Sequence, residues 1–265
     1  YAKQAGFGAI GEAMGGLRYV CGDPSTPPSR MGISIGDSLA ATFASVGALS
    51  ALHYREKTGR GQVVDSAIYE SVLNMMESLV TEFDKTGYIR ERTGAILPNV
   101  APSNIYPARD GQLVLIAANQ DTVFGRLAEA MGQLGLAQDP KYATHSARGA
   151  HQAELDELIG RWTASLTRDE VLAAMEKSGV PAGLIYRAPE MLEDPHFKAR
   201  QAIVKTQHPD FGELRMQNVA PKLSETPGGV RAPAPAMGQH NEEVYLGLLG
   251  MTRERFDSLA ARKVI

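Results

Sequence analysis

The sequence predicts an α/β fold. Apolar residues recur at helical spacing through much of the first ninety positions. A short, continuously apolar run, QLVLIAAN, follows the turn dipeptide Asp110-Gly111, and strand-like and helical segments alternate after it. The chain has 265 residues, enough for one large domain or two small ones. A formal net charge of -3 argues against a broad electropositive face, so no nucleic-acid partner is expected. The most apolar stretch, Leu39 to Leu52, is interrupted by Thr42, Ser45, Gly47 and Ser50, so no membrane partner is expected either. One cysteine, Cys21, leaves no intrachain disulfide and fits a reducing, cytoplasmic setting.

The elements follow in order. Ala9 to Tyr19 is rich in helix formers and runs into the turn-rich CGDPSTPPSR. A second helix is expected from Asp37 or Ser38, because Leu39, Phe43, Val46, Leu49 and Leu52 share a stripe and Lys57 and Gly59 supply stop signals. QVVDSA is strand-like. A third helix, from Ile68 to about Lys85, carries Val72, Met75, Met76, Leu79 and Phe83 and closes at Gly87. Residues 88–110, with three prolines, read as irregular. Beyond the buried strand come helices near 121–132, 152–164 and 168–177. SGVPAGLIY leads to another helix, then strands AIVKTQ and ELRM, a proline-rich crossing and two terminal helices.

Gly6-Phe7-Gly8-Ala9-Ile10-Gly11 has the spacing of a dinucleotide fingerprint. That motif needs a buried strand before it, and YAKQA does not supply one; Glu12 would also set a carboxylate near a bound phosphate. Small residues permitting close helix packing explain it better. The six histidines show no metal-ligand rhythm, so no metal site is expected. Arg55, Lys57 and Arg60 complement the C-terminal end of a helix. Asp37 stands at the head of the long apolar helix, where a carboxylate can cap backbone amides. The same place suits a carboxylate nucleophile, because amides and dipole favour negative charge there.

Several segments together resemble a known family, the class III CoA-transferases (CaiB/BaiF), which includes formyl-CoA transferase. They are GFGAIGEAMGGLRYVCGDPSTPPSRMG, ISIGDSLAATFASVGALSAL, HYREKTGRGQVVDSAIYESVLN, YPARDGQLVLIAANQ, SGVPAGLIY, EMLEDPHFKAR and MGQHNEEVYLGLLG, in family order. The resemblance implies transfer of CoA between carboxylic acids, with Asp37 as the covalent nucleophile. It implies an aspartyl mixed anhydride and an aspartyl-CoA thioester as intermediates. An acyl-CoA thioester and a carboxylic acid are the implied substrates, without metal or redox cofactor.

The family also implies a Rossmann-like large domain, a small α/β domain and an interlocked homodimer. Applied here, residues 1–90 and 191–265 belong to the large domain, 91–104 to a linker and 105–190 to the small domain. The family's N-terminal segment, which carries most CoA contacts, is missing, so the CoA-contact residues stay unassigned and the chain reads as a fragment. The family's glycine-rich loop is represented by ERTGAILPNVAPSNIY, with Gly94 as its one glycine. The racemase branch places a histidine–aspartate element where this chain has Gly6-Phe7-Gly8, which favours transfer over racemisation. A non-catalytic dimer partner is the remaining alternative.

Overall fold

The computed structural model describes every residue except Ala2. It divides into two compact units, Tyr1–Ile185 and Tyr186–Ile265.

The first unit opens with helices α1 (Gly8–Met14) and α2 (Leu17–Val20), then α3 (Ile35–Thr58), α4 (Ile68–Asn74) and α5 (Leu79–Thr86). The expected helix Ala9–Tyr19 is split because Gly15-Gly16 turns the chain, with Gly16 at φ 93°. The long helix begins two residues earlier than expected, so Ser34 takes the cap position and Asp37 sits inside the first turn. Its stop is the expected one: Gly59 adopts φ 73° and donates its N–H to the Arg55 carbonyl. The expected helix Ile68–Lys85 breaks after Asn74, where Glu77 takes φ 53° in a run of tight turns. QVVDSA forms no strand. It lies extended along α3, where Ser66 Oγ donates to the Ala40 carbonyl at 2.9 Å and Val64 fills the space left by Gly47.

α3 is longer than the apolar run read from sequence. Its 24 residues meet the length and composition of a bilayer span, in contrast to the sequence expectation. Its hydroxyls do not reach outward for partners. Thr42, Ser45 and Ser50 each donate back to the carbonyl four residues earlier.

A three-stranded sheet follows, in the order β1 (Ser103–Pro107), β2 (Leu113–Ala117), β3 (Ala182–Leu184), with both pairings antiparallel. β2 is the expected strand. β1 falls in the stretch expected to be irregular. It pairs from Ser103 against Ala117 to Pro107 against Leu113, and the turn closes at Gly111 with φ 74°. Helices α6 (Asp121–Ala130), α7 (His145–Ala150), α8 (Gln152–Thr163) and α9 (Arg168–Ser178) cover this sheet. Alternate β2 residues, Val114 and Ile116, point into a core with Tyr106, Phe124, Leu127, Leu155, Ile159, Val171 and Met175. α9 starts on a full capping box between Thr167 and Glu170.

The second unit has α10 (Ala188–Glu193), α11 (Pro195–Ala199), the antiparallel hairpin β4 (Ile203–His208)–β5 (Gly212–Gln217), a π-helical turn at Glu243–Leu248 and α12 (Arg253–Ala261). The expected strands and terminal helices are therefore present. The mixed helix-and-sheet class is as expected, and every strand pairing among the described residues is antiparallel.

Candidate active site

The site is built by α1, α3 and α4. Three glycines lie on one face of α1, at spacings of three and four residues. A methyl group on Gly11 would sit 2.6 Å from Ile68 Cγ2, and one on Gly15 would sit 2.6 Å from Val72 Cγ1 and 2.8 Å from the Tyr69 carbonyl. Those two glycines let α1 lie directly on α4. The third, Gly8, faces Asp37: a methyl group there would meet the carboxylate at 2.8 and 2.9 Å. Of the motif's glycines, Gly11 serves close helix packing and Gly8 lies against Asp37, whereas Gly6 has nothing within 4 Å. Lys3–Phe7 form no strand ahead of α1, and Ala2, part of the same reading, lies outside the described residues.

Asp37 is exposed and sits in the first turn of α3, against the first residue of α1. Its carboxylate therefore stands in the first turn of α3, where the helix dipole favours negative charge, and beside the first residue of α1. The capping role considered from sequence falls to Ser34 by position, although the Ser34 side chain makes no cap bond. Beneath the turn lies Glu12, 1% exposed. One oxygen accepts the Gly36 N–H at 3.4 Å, and the other accepts Arg18 Nε at 3.0 Å. From the sequence, Glu12 is expected only to repel a phosphate near the glycine motif. The available signal was its spacing: positions 8, 11, 12 and 15 share one helical face, so Glu12 had to point where the glycines point.

The loop that stands in for the glycine-rich segment is tied to α2 and the turn after it. Tyr19 Oη donates to Glu91 at 2.7 Å, which raises the phenol's pKa. Arg92 Nη1 donates to the Tyr19 carbonyl, and the Gly94 N–H to the Gly22 carbonyl. Arg55 and Lys57 lie in the last turn of α3, some twenty residues and about 30 Å from Asp37 along the helix axis. They support the dipole reading and take no part in the site. Among the described residues no group of three or more metal-ligating side chains forms. The clefts between α11 and β4, beside Arg90, and on α6 and α9 do not include Asp37.

An exposed carboxylate in the first turn of a helix can attack an electrophilic carbonyl. Comparison with known proteins bears on that chemistry. Residues 1–241 match the model of CoA-transferase family III. A succinyl-CoA–D-citramalate CoA-transferase of Chloroflexus aurantiacus is 61% identical over all 265 residues, and the beta subunit of a succinyl-CoA–L-malate CoA-transferase of the same organism is 38% identical. A crystal structure of a CaiB/BaiF family protein from Brucella suis superposes with a TM-score of 0.78 at 29% identity, over 94% of this chain. The chain spans 66% of the length of each of those two relatives and 64% of that structure.

Proposed function

Because the chain belongs to CoA-transferase family III, we propose that its complete protein moves CoA from an acyl-CoA thioester to a carboxylic acid, with Asp37 as the nucleophile. The observation that carries this is the exposed Asp37, in the first turn of α3 and directly beside Gly8. The Asp37 carboxylate attacks the thioester carbonyl and the C–S bond breaks. This leaves an aspartyl mixed anhydride and CoA thiolate. The thiolate attacks the aspartyl carbonyl, forming aspartyl-CoA thioester and releasing the donor acid. The acceptor carboxylate then attacks that thioester and frees the thiolate again. The thiolate finally takes the acceptor acyl group and restores the Asp37 carboxylate. Atoms and charge balance at each step, and no oxidant, reductant or metal enters. Covalent capture replaces one difficult transfer by several easier ones.

The substrates proposed are succinyl-CoA as donor and a hydroxylated dicarboxylic acid, D-citramalate first, as acceptor, by analogy with the relative at 61% identity. A homodimer in the cytoplasm, with residues 1–90 and 191–265 in one domain and 105–190 in another, completes the proposal.

The test uses the complete protein. Succinyl-CoA should leave a hydroxylamine-sensitive adduct on the peptide containing Asp37, and Asp37→Ala should abolish both adduct and turnover. Transfer to D-citramalate should exceed transfer to oxalate in a panel of acids. A folded Asp37→Ala enzyme with near-normal turnover would sink the assignment.

A further inference from the structure

We infer that Glu12 is a positioning residue for the nucleophile, holding the first turn of α3 in place from the neighbouring helix; the inference rests on the reading of Asp37 given above. Glu12 is almost wholly buried, and a buried carboxylate is retained only where it is paired and hydrogen-bonded. Both of its oxygens are used. Arg18, reached across the Gly15-Gly16 turn, donates to Oε2 at 3.0 Å. Gly36, the residue before Asp37, donates its N–H to Oε1 at 3.4 Å.

That N–H is one of the four a helix leaves unbonded at its start. The residue in the cap position, Ser34, makes no side-chain cap bond. The first turn of α3 is therefore capped by a carboxylate from α1. Contact is close: a methyl group on Gly36 would lie 2.9 Å from Glu12 Cγ. The result is one connected path, Arg18 to Glu12 to Gly36 to Asp37. It pins the backbone that carries the nucleophile to the helix whose Gly8 borders the carboxylate. Arg18 offsets the charge of Glu12, so the cap does not place an unpaired anion beneath Asp37. Glu12 touches no reacting atom and acts through the Gly36 backbone. A misplacement on the order of 1 Å can slow a step about a hundredfold.

The experiment measures the single-turnover rate constant of Asp37 acylation by succinyl-CoA in the complete protein, counted per burst-competent site so that unfolded molecules drop out. Glu12→Leu keeps bulk and removes the acceptor. It should slow acylation about ten- to a hundredfold, with the acyl-CoA KM moving less than about threefold. Glu12→Gln keeps an oxygen for the Gly36 N–H and should recover to within about fivefold of the parent rate. Should Glu12→Leu give no folded protein, Glu12→Asp decides. It keeps the charge but withdraws the oxygen by one methylene, and should slow acylation at least about tenfold. Parent-rate acylation in Glu12→Leu or Glu12→Asp overturns the inference, as does a Glu12→Gln enzyme as slow as Glu12→Leu. An adduct that survives Asp37→Ala overturns the nucleophile reading and this one with it. An adduct lost in Asp37→Ala but unaffected by Glu12 removes the Glu12 role alone.

Discussion

Two buried charged side chains, Glu12 and Arg148, do opposite kinds of work. Glu12 meets the helix that bears the candidate nucleophile. Arg148, fully buried, is a hub for the sheet unit. Its guanidinium donates to the carbonyls of Ala101, Tyr142 and Asn119 at 3.1, 2.9 and 2.7 Å and to Asp121 at 2.6 Å, and it lies 4.7 Å over the Phe124 ring. Arginine suits this place because its fork of donors reaches several acceptors in fixed directions. Arg148→Met keeps much of the bulk and leaves the Ala101 and Tyr142 carbonyls without a donor, so it should cost about 3 kcal/mol or more of stability, read as a fall in the urea midpoint. The pH dependence has a definite sign. Arg148, mainly by its hydrogen bond, holds the Asp121 carboxyl below the usual carboxylate range. A depressed carboxyl stabilises the fold above its unfolded pKa and loses that contribution as pH falls through the folded one. The stability gap between parent and Arg148→Met should therefore narrow in the acid region below about pH 4. A gap that stays constant from pH 6 to pH 2 would contradict this.

Elements show where local sequence suffices and where it does not. α3 was legible because a long apolar stripe met a glycine stop. β2 was legible because five apolar residues followed an Asp-Gly turn. β1 was hidden: Pro102 and Pro107 bracket it and read as breakers, yet Pro107 sits at the end of a strand paired on one side, where no ladder N–H is required of it. The break at Glu77 has no glycine or proline to announce it. At the site, a helix start near Asp37 was legible, and α3 does begin two residues before it. Glu12 could not be found from its type, since a helical glutamate is solvated by default. Its burial arises only when Gly36 comes near. The same closeness makes the glycine face of α1 testable. Gly11→Ala and Gly15→Ala should each destabilise the complete protein by about 1–3 kcal/mol through overpacking. Gly6→Ala, with nothing within 4 Å of the added carbon, should stay within about 0.5 kcal/mol. Equal urea midpoints for all three would show that α1 does not need its glycines.

For the whole molecule, the proposed dimer predicts that the complete protein sediments as one species with no monomer at low concentration; a stable, active monomer would contradict the interlocked arrangement. The glycine face has a further consequence, for inheritance. Every missense change in a glycine codon adds at least one side-chain carbon. At codons 11 and 15 that carbon enters a neighbouring helix, and at codon 8 it meets the Asp37 carboxylate. No single-nucleotide missense path through these three codons avoids a collision. Variation in this protein is therefore disfavoured at these codons, and a library that randomises the three codons should be enriched in glycine, most strongly at 11 and 15, when turnover is selected.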